Sequence, residues 1–392
     1  MKRYGNLYPK IWDMDNIKEA HRNAQRGKKH YQEVQMVNAD EENYLVQIQT
    51  MLRDKTFRNS AYEVFTKVEG GKEREIYRLP YFPDRIVHHC IMQILEPIWM
   101  KTFISDTYAA LRERGIHKGV RRVKLALRDV ENTKYCLKFD VRKFYPSIDH
   151  DILKAILRKK IKDPDVLWLL EEIIDSAKGV PIGNYLSQYF GNLYLAYFDH
   201  WMKEEEGCKY YFRYCDDVVV LHRDKDSLHK LLIEAQEYLG VHLKLRMKAN
   251  YQIFPVDKRG IDFLGYRFFH SYTLLRKSIA QRFKAKVARI KRSYREMSSS
   301  QIVNGLMSYW GWMKYGNCLN LAKRYINGDI RQIVGTVSKQ NGIKNPLRRL
   351  HNGYQRHTSG GTLHIQRQDG LPVQYRRDGS NRPRDRQEAH SI

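Results

Sequence analysis

Residues 210–221 read Tyr-Tyr-Phe-Arg-Tyr-Cys-Asp-Asp-Val-Val-Val-Leu, and the four at the centre, Tyr214-Cys215-Asp216-Asp217, decide the fold. Aromatic residues before them and β-branched residues after them are strand formers. The aspartates between favour a turn, so the stretch predicts strand, tight turn, strand. Two adjacent carboxylates at a hairpin tip repel each other and cost stability unless a cation or a hydrogen-bonding shell offsets them. A solvated Asp-Asp turn is the plain alternative, and only the surrounding chain separates the two.

Outward from the hairpin, Tyr135 to Val141 (Y-C-L-K-F-D-V) alternates as a half-buried strand that ends in Asp140. A helix is predicted over His150 to Ile161. Val180-Pro181-Ile182-Gly183 turns into a long helix from Leu186 to Met202. After the hairpin come a helix around Ser227 to Tyr238 and strands at Leu243 to Met247 and Ile261 to Phe269. The order predicts an α+β fold, a split β-α-β unit whose small antiparallel sheet is backed by helices. There the first strand end and the hairpin lie side by side, so Asp140, Asp216 and Asp217 converge. Convergent carboxylates beside Arg142 and Lys143 suit a pair of Mg²⁺ ions, which take oxygen ligands and stand roughly 3.5–4 Å apart in phosphoryl transfer. Asp140 could instead cap the next segment, but that explains neither the tip nor the charge of the chain.

That charge is large: 70 Lys and Arg against 44 Asp and Glu in 392 residues, a formal +26. Such an excess points to a polyanionic partner, nucleic acid before membrane. No apolar run approaches the ~18 residues of a spanning helix, and Met1-Lys2-Arg3-Tyr4-Gly5 leads into no apolar leader. Five scattered cysteines without a C-x-x-C pair fit reduced thiols, so a cytoplasmic setting is expected and a disulfide framework or zinc site is not. The first 64 residues read as a helical extension. Val64 to Leu79, interrupted by Gly70-Gly71, reads as a hairpin, and Asp84 to Met100 as an amphipathic helix. Residues 271–335 are basic and helical; residues 336–392 turn to Arg, Gly, Gln and Pro, the composition of a flexible arm.

The series F-D-V-R-K-F-Y-P-S-I from Phe139, I-G-N-Y-L-S-Q from Ile182, Y-C-D-D from Tyr214 and G-I-D-F-L-G-Y from Gly260 resembles motifs A, B, C and E of reverse transcriptases. The resemblance spans about residues 70 to 320. It implies a right-hand polymerase with fingers over 65–134, palm over 135–270 and thumb over 271–335. Within the group, Ile182-Gly183 through Gln188 is similar to the enzymes of diversity-generating retroelements; group II intron and most retroviral enzymes carry Gln-Gly there. R-Y-G-N-L-Y near the start and R-G-I-H-K-G at Arg114 to Gly119 resemble that lineage too.

The resemblance implies roles. Asp140 and Asp216 match the metal ligands, with the Val141 carbonyl as a backbone ligand and Asp217 as third carboxylate. Tyr145 matches the steric gate against a 2′-hydroxyl, with Phe144 the other aromatic available. Arg74, or less directly Lys72, matches the fingers contact to the incoming triphosphate, for which a planar guanidinium is suited. Lys244, in H-L-K-L, matches a lysine that can protonate pyrophosphate. Ile182 departs from the glutamine of relatives and offers apolar contact in place of hydrogen bonds, which lowers discrimination; it is expected to contribute to adenine-directed errors.

Leu111 stands where many relatives place an arginine, with Arg112 or Arg114 as substitutes. S-Y-W-G-W-M-K-Y-G-N, Ser308 to Asn317, resembles the thumb. The implied partners are a structured retroelement RNA template, the RNA–DNA hybrid, dNTPs and a small basic accessory protein that assembles as a pentamer. The alternatives are a reverse transcriptase of a phage-defence or retron system, and an idle RNA-binding protein on the same scaffold.

Overall fold

A computed structural model describes residues 2–334, apart from 70, 329, 331 and 333. The basic arm expected over 336–392 lies outside the described residues. Four helices come first: α1 (Tyr8–Ile11), α2 (Met14–Ala24), α3 (Gln32–Ala39) and α4 (Glu41–Arg53). Asp13 accepts from the N–H groups of Asp15 and Asn16, satisfying donors that a helix start leaves open. The expected hairpin follows as β1 (Glu63–Glu69) and β2 (Lys72–Arg78), with Lys67 opposite Arg74. Next come α5 (Ile86–Trp99) and α6 (Ile116–Ala126). Val87, Cys90, Ile91 and Leu95 of α5 are fully buried at helical spacing. They share one core with Ile17, Leu45 and the palm, so the N-terminal helices are part of the main body rather than an appendage.

The palm is built from β3 (Tyr135–Asp140), α7 (His150–Arg158), α8 (Pro164–Ile174), α9 (Ser187–Tyr194), α10 (Ala196–His200), β4 (Tyr210–Tyr214), β5 (Asp217–His222), α11 (Lys225–Leu243) and β6 (Gln252–Pro255). Its strands lie in the order β4-β5-β3-β6, every neighbouring pair antiparallel. Alternation sends Leu137, Phe139, Tyr211, Val218 and Val220 to one face, against Phe198, Leu228 and Leu239 of the helices. Cys136, Phe212, Val219 and Leu221 face the other way, against Val120 and Val123 of α6 and the thumb side. Lys138, Asp140 and Asp217 lie on this second face.

Three sequence expectations change. The helix expected from Leu186 to Met202 is divided at Leu195 between α9 and α10 and ends in a wider turn over Trp201–Glu205. The strand expected over Leu243 to Met247 does not form; α11 runs on to Leu243 because Leu228, Leu232, Ala235, Leu239 and Leu243 continue its buried stripe. A short run such as H-L-K-L fits either period, and packing decides. At the hairpin, Asp217 pairs with Tyr214 inside the ladder, so the loop is Cys215-Asp216 rather than Asp-Asp.

Beyond the palm, α12 (Val256–Arg259) precedes a second antiparallel sheet of β7 (Ile261–Phe263), β8 (Tyr266–Phe268) and β9 (Thr273–Leu275). The thumb helices α13 (Lys277–Ser293), α14 (Ser299–Met313) and α15 (Leu319–Tyr325) pack on it through Ile279, Phe283, Leu306 and Met313. A capping box, Ser298 with Gln301, starts α14. The whole is the expected α+β right-hand arrangement. Among the described residues no helix is long and apolar enough to cross a membrane.

Candidate active site

Register brings the acids together. Asp140, last in β3, lies directly opposite Asp217, first in β5, and Asp216 precedes it in the two-residue loop. Like charges directly across an antiparallel pair are destabilising. Burial pushes the Asp217 carboxyl up to about 7; Lys138 opposes this, while Asp140 and Asp216 add to it. Asp216 is raised as well, by burial and by Asp140, with Lys248 and Arg74 opposing. Lys138 Nζ stands 3.2 Å from Asp217, yet Asp217 Oδ1 is buried and accepts no hydrogen bond. Lys248 Nζ lies 3.7 Å from Asp140 Oδ1 and 3.9 Å from Asp216 Oδ2.

The turn is held from beneath. Arg213 is fully buried; its guanidinium donates to both Asp199 carboxylate oxygens at 2.6 Å and to the Cys215 carbonyl at 2.8 Å. Burial works against its charge, but Asp199 outweighs that and raises its pKa. Asp199 also accepts from the Tyr211 hydroxyl at 2.6 Å and from Thr107 at 3.0 Å. With that shell filled, Cys215 is fixed at a φ of +54°, a conformation few non-glycine residues adopt. On the β3 side, the Arg142 N–H donates to the Arg246 carbonyl and the Lys248 N–H to the Asp140 carbonyl. These two bonds flank the Val141–Met247 bridge and leave the Val141 carbonyl outside that ladder.

Two further segments close in. Phe144 is buried in the core, whereas Tyr145 is half-buried and donates from its hydroxyl to Gln188 at 2.9 Å, with Cys215 Sγ 3.5 Å away. The two aromatics that sequence left in competition are thereby separated. A Cβ on Gly191 would stand 2.9 Å from the Tyr145 ring, so glycine lets the ring lie on α9. The Ile182 carbonyl accepts from the Tyr77 N–H of β2 at 2.8 Å. Gly183 has a φ of +120°, and a Cβ there would stand 2.5 Å from the Tyr77 carbonyl oxygen. The Ile182-Gly183 turn is therefore docked on the fingers hairpin. Arg74 of that hairpin is exposed, and its charge acts on Cys215 and Asp216. Lys72 begins β2, but its side chain lies outside the described residues.

Residues 67–268, more than half of the chain, match the family described as "Reverse transcriptase (RNA-dependent DNA polymerase)". The chain belongs to the reverse transcriptase family. This reverse transcriptase is 26% identical over 252 residues to Protein YkfC of Escherichia coli K12, covering 53% of the chain and 66% of YkfC. It is 22% identical over 160 residues to the group II intron-encoded protein LtrA of Lactococcus lactis, covering 38% of the chain and 26% of LtrA. Its matches thus span less than two thirds of these relatives. Among solved structures it is similar to apo telomerase from Candida tropicalis, with a TM-score of 0.47 and 13% identity over 72% of this chain and 60% of that one.

Two residues of this reverse transcriptase are placed otherwise than sequence reading expects. Lys244 is the left-handed cap of α11, at a φ of +49°, and pairs with Asp149 at 2.7 Å rather than facing the acids. Lys248, four residues on, stands beside Asp140 and Asp216 instead. Arg114 cannot stand in for the arginine missing at Leu111, because it donates to the Phe103, Ile104 and Thr107 carbonyls; Arg112 is exposed.

Sequence reading also missed Lys138, Arg213 and Asp199. The signal for Lys138 was its period-two spacing from Asp140. For Arg213 it was a charge inside an apolar strand, which demands a partner. Among the described residues no three His, Cys, Asp or Glu side chains are gathered around a ready metal position. The donor set nonetheless fits a hard cation: carboxylate oxygens at one sheet end, one of them buried with no hydrogen bond and only the Lys138 ammonium beside it.

Proposed function

We propose that this reverse transcriptase copies RNA into DNA, joining dNTPs to a primer 3′ end and releasing pyrophosphate. The register that sets Asp140 against Asp217, one residue from Asp216, carries the reading. Asp140, Asp216 and the Val141 carbonyl are the groups to hold two Mg²⁺ ions, with Asp217 as the third carboxylate. Such ions, when bound, stabilise the attacking and leaving oxygens of phosphoryl transfer. The protein's own part is positioning. Arg74 meets the triphosphate, and Tyr145, tethered by Gln188, excludes a 2′-hydroxyl. Lys248 balances charge between Asp140 and Asp216. The test is primer extension on an RNA template: the wild-type chain extends, and Asp216→Ala abolishes synthesis. Extension by Asp216→Ala at the wild-type rate defeats the assignment.

The finer reading is error-prone synthesis for a diversity-generating retroelement, from a structured RNA and with a small basic pentameric partner. I-G-N-Y-L-S-Q supports it, since Ile182 brings no polar side-chain atom to the nascent pair. Matches to proteins named as group II intron-encoded or as an intron maturase favour a second reading, an intron-type enzyme. Sequencing the cDNA separates them. Errors concentrated at template adenines, and reduced by Ile182→Gln, support the first; errors spread evenly over template bases support the second.

A further inference from the structure

A groove between α6 and the loop that follows α14 lies away from the acids. It encloses ≈ 870 Å³ and is lined by Arg121, Lys124, Arg128 and Lys314, with no Asp or Glu among the described residues lining it. It shares no lining residue with the cavity beside Asp140, which Arg267 of β8 and Arg276, just past β9, help to line. Arg121 and Lys124 stand one turn apart on α6, so helical periodicity places them along one side, and Arg128 follows just past the helix end. Opposite them the Tyr272 ring stacks on Phe269 at 4.4 Å and remains 41% exposed. Tyr315 stacks on His117 at 4.2 Å.

The wall is built in advance. Asn317 donates its N–H to the Thr273 carbonyl at 2.6 Å and accepts the Thr273 N–H on its side chain at 2.9 Å. Lys124 donates to the Tyr315 carbonyl at 3.3 Å across the groove. His270, on the rim, is already engaged by Asp257 at 2.7 Å and by Thr133 at 3.0 Å. A preformed slot saves the ordering cost of binding. Cations with an exposed ring among them are the chemistry that grips a single strand, phosphates on the charges and a base on the ring.

We propose that this groove is a second nucleic-acid site, which holds a single-stranded segment of RNA while the catalytic cleft holds the duplex. The choice of RNA over DNA rests on the reading of the chain as an RNA-copying enzyme; the groove's affinity for a single strand does not.

The test uses the full chain with its cleft saturated by an RNA–DNA primer–template, and a labelled short RNA oligonucleotide followed by fluorescence anisotropy. One further equivalent of RNA binds. Tyr272→Ala weakens it by about 5-fold or more, the effect of one lost stacking contact. Arg121→Gln with Arg128→Gln lowers the slope of log affinity on log salt by about 1.4, at about 0.7 per contact to a single strand. Unchanged melting temperatures establish that the variants fold. No second equivalent, or one that both variants bind as the wild type does, overturns the site. A DNA oligonucleotide bound more tightly than RNA overturns the choice of RNA. Because the readout is binding, the groove can stand if primer extension fails, and fail if extension succeeds.

Discussion

Arg213 and Asp199 act on the acids without touching them: their buried ion pair holds the Cys215 carbonyl that shapes the turn before Asp216. Removing one partner of such a pair leaves the other charged and buried, at a cost of about 3–5 kcal/mol. Arg213→Met should lose that much in urea unfolding. Arg213→Met with Asp199→Leu should recover part of the stability and none of the primer-extension rate, since nothing then holds the turn. Wild-type activity in the double variant would sink this account. Gly183 makes a parallel case. Gly183→Ala asks a left-handed residue to place a methyl 2.5 Å from the Tyr77 oxygen. Backbone strain of this kind costs about 1–3 kcal/mol. The melting temperature should fall, and KM for dNTP should rise as the Arg74 hairpin loses its seat; an unchanged KM would separate the turn from the fingers.

At the scale of elements, α5 carries a pH dependence. His88 is buried and its Nε2 has no hydrogen bond. Burial, with Arg85 and His89 adding, pushes it down to about 3. An unfolded histidine takes its proton near pH 6.5, which the folded helix refuses. The stability is therefore fully present above about pH 6.5 and is lost as pH falls toward the folded value, by about 1.4 kcal/mol per unit. Between about pH 7 and pH 5, His88→Leu should lose about 2 kcal/mol less than the wild type in urea unfolding. Parallel losses in the two proteins would show that His88 does not carry the effect.

Elements of this kind also mark how far the sequence could be read. β3, β4 and β5 were legible because they are short runs of aromatic, β-branched and other apolar residues bounded by turn residues, and both faces of the sheet are covered. With the order of elements, that pattern placed Asp140 beside the hairpin. Lys244 was misread because a few residues cannot choose between a last helical turn and a strand. The choice is made by packing of Leu239 and Leu243 in the core. The partner of Arg213, Asp199, lies 14 positions away on α10, and no local period connects them. Asp217 looked like a turn residue because composition does not reveal register, and it is register that sets it across from Asp140.

Across the whole molecule, the excess of +26 points to a polyanionic partner. The thumb shows how it is arranged. α13 buries Ile279, Phe283, Val287 and Ile290 along one stripe, and exposes Arg282, Arg289 and Arg292 on its other sides. The apolar stripe fixes the helix to the small sheet of β7–β9, so the arginines are carried on a rigid support. Contacts to backbone phosphates add affinity without base selectivity, and each contributes about 0.9 to the salt slope on a duplex. Replacing Arg282, Arg289 and Arg292 with glutamine should lower the slope for RNA–DNA primer–template binding by about 2.7 if all three meet phosphates. Glutamine preserves the helix and most of the side-chain volume, so the melting temperature should hold. The loss should be uniform over primer–template sequences, because phosphate contacts position a duplex and do not read it. A slope equal to that of the wild type would place the hybrid on another face of the thumb, and a loss confined to particular sequences would assign these arginines to base contacts.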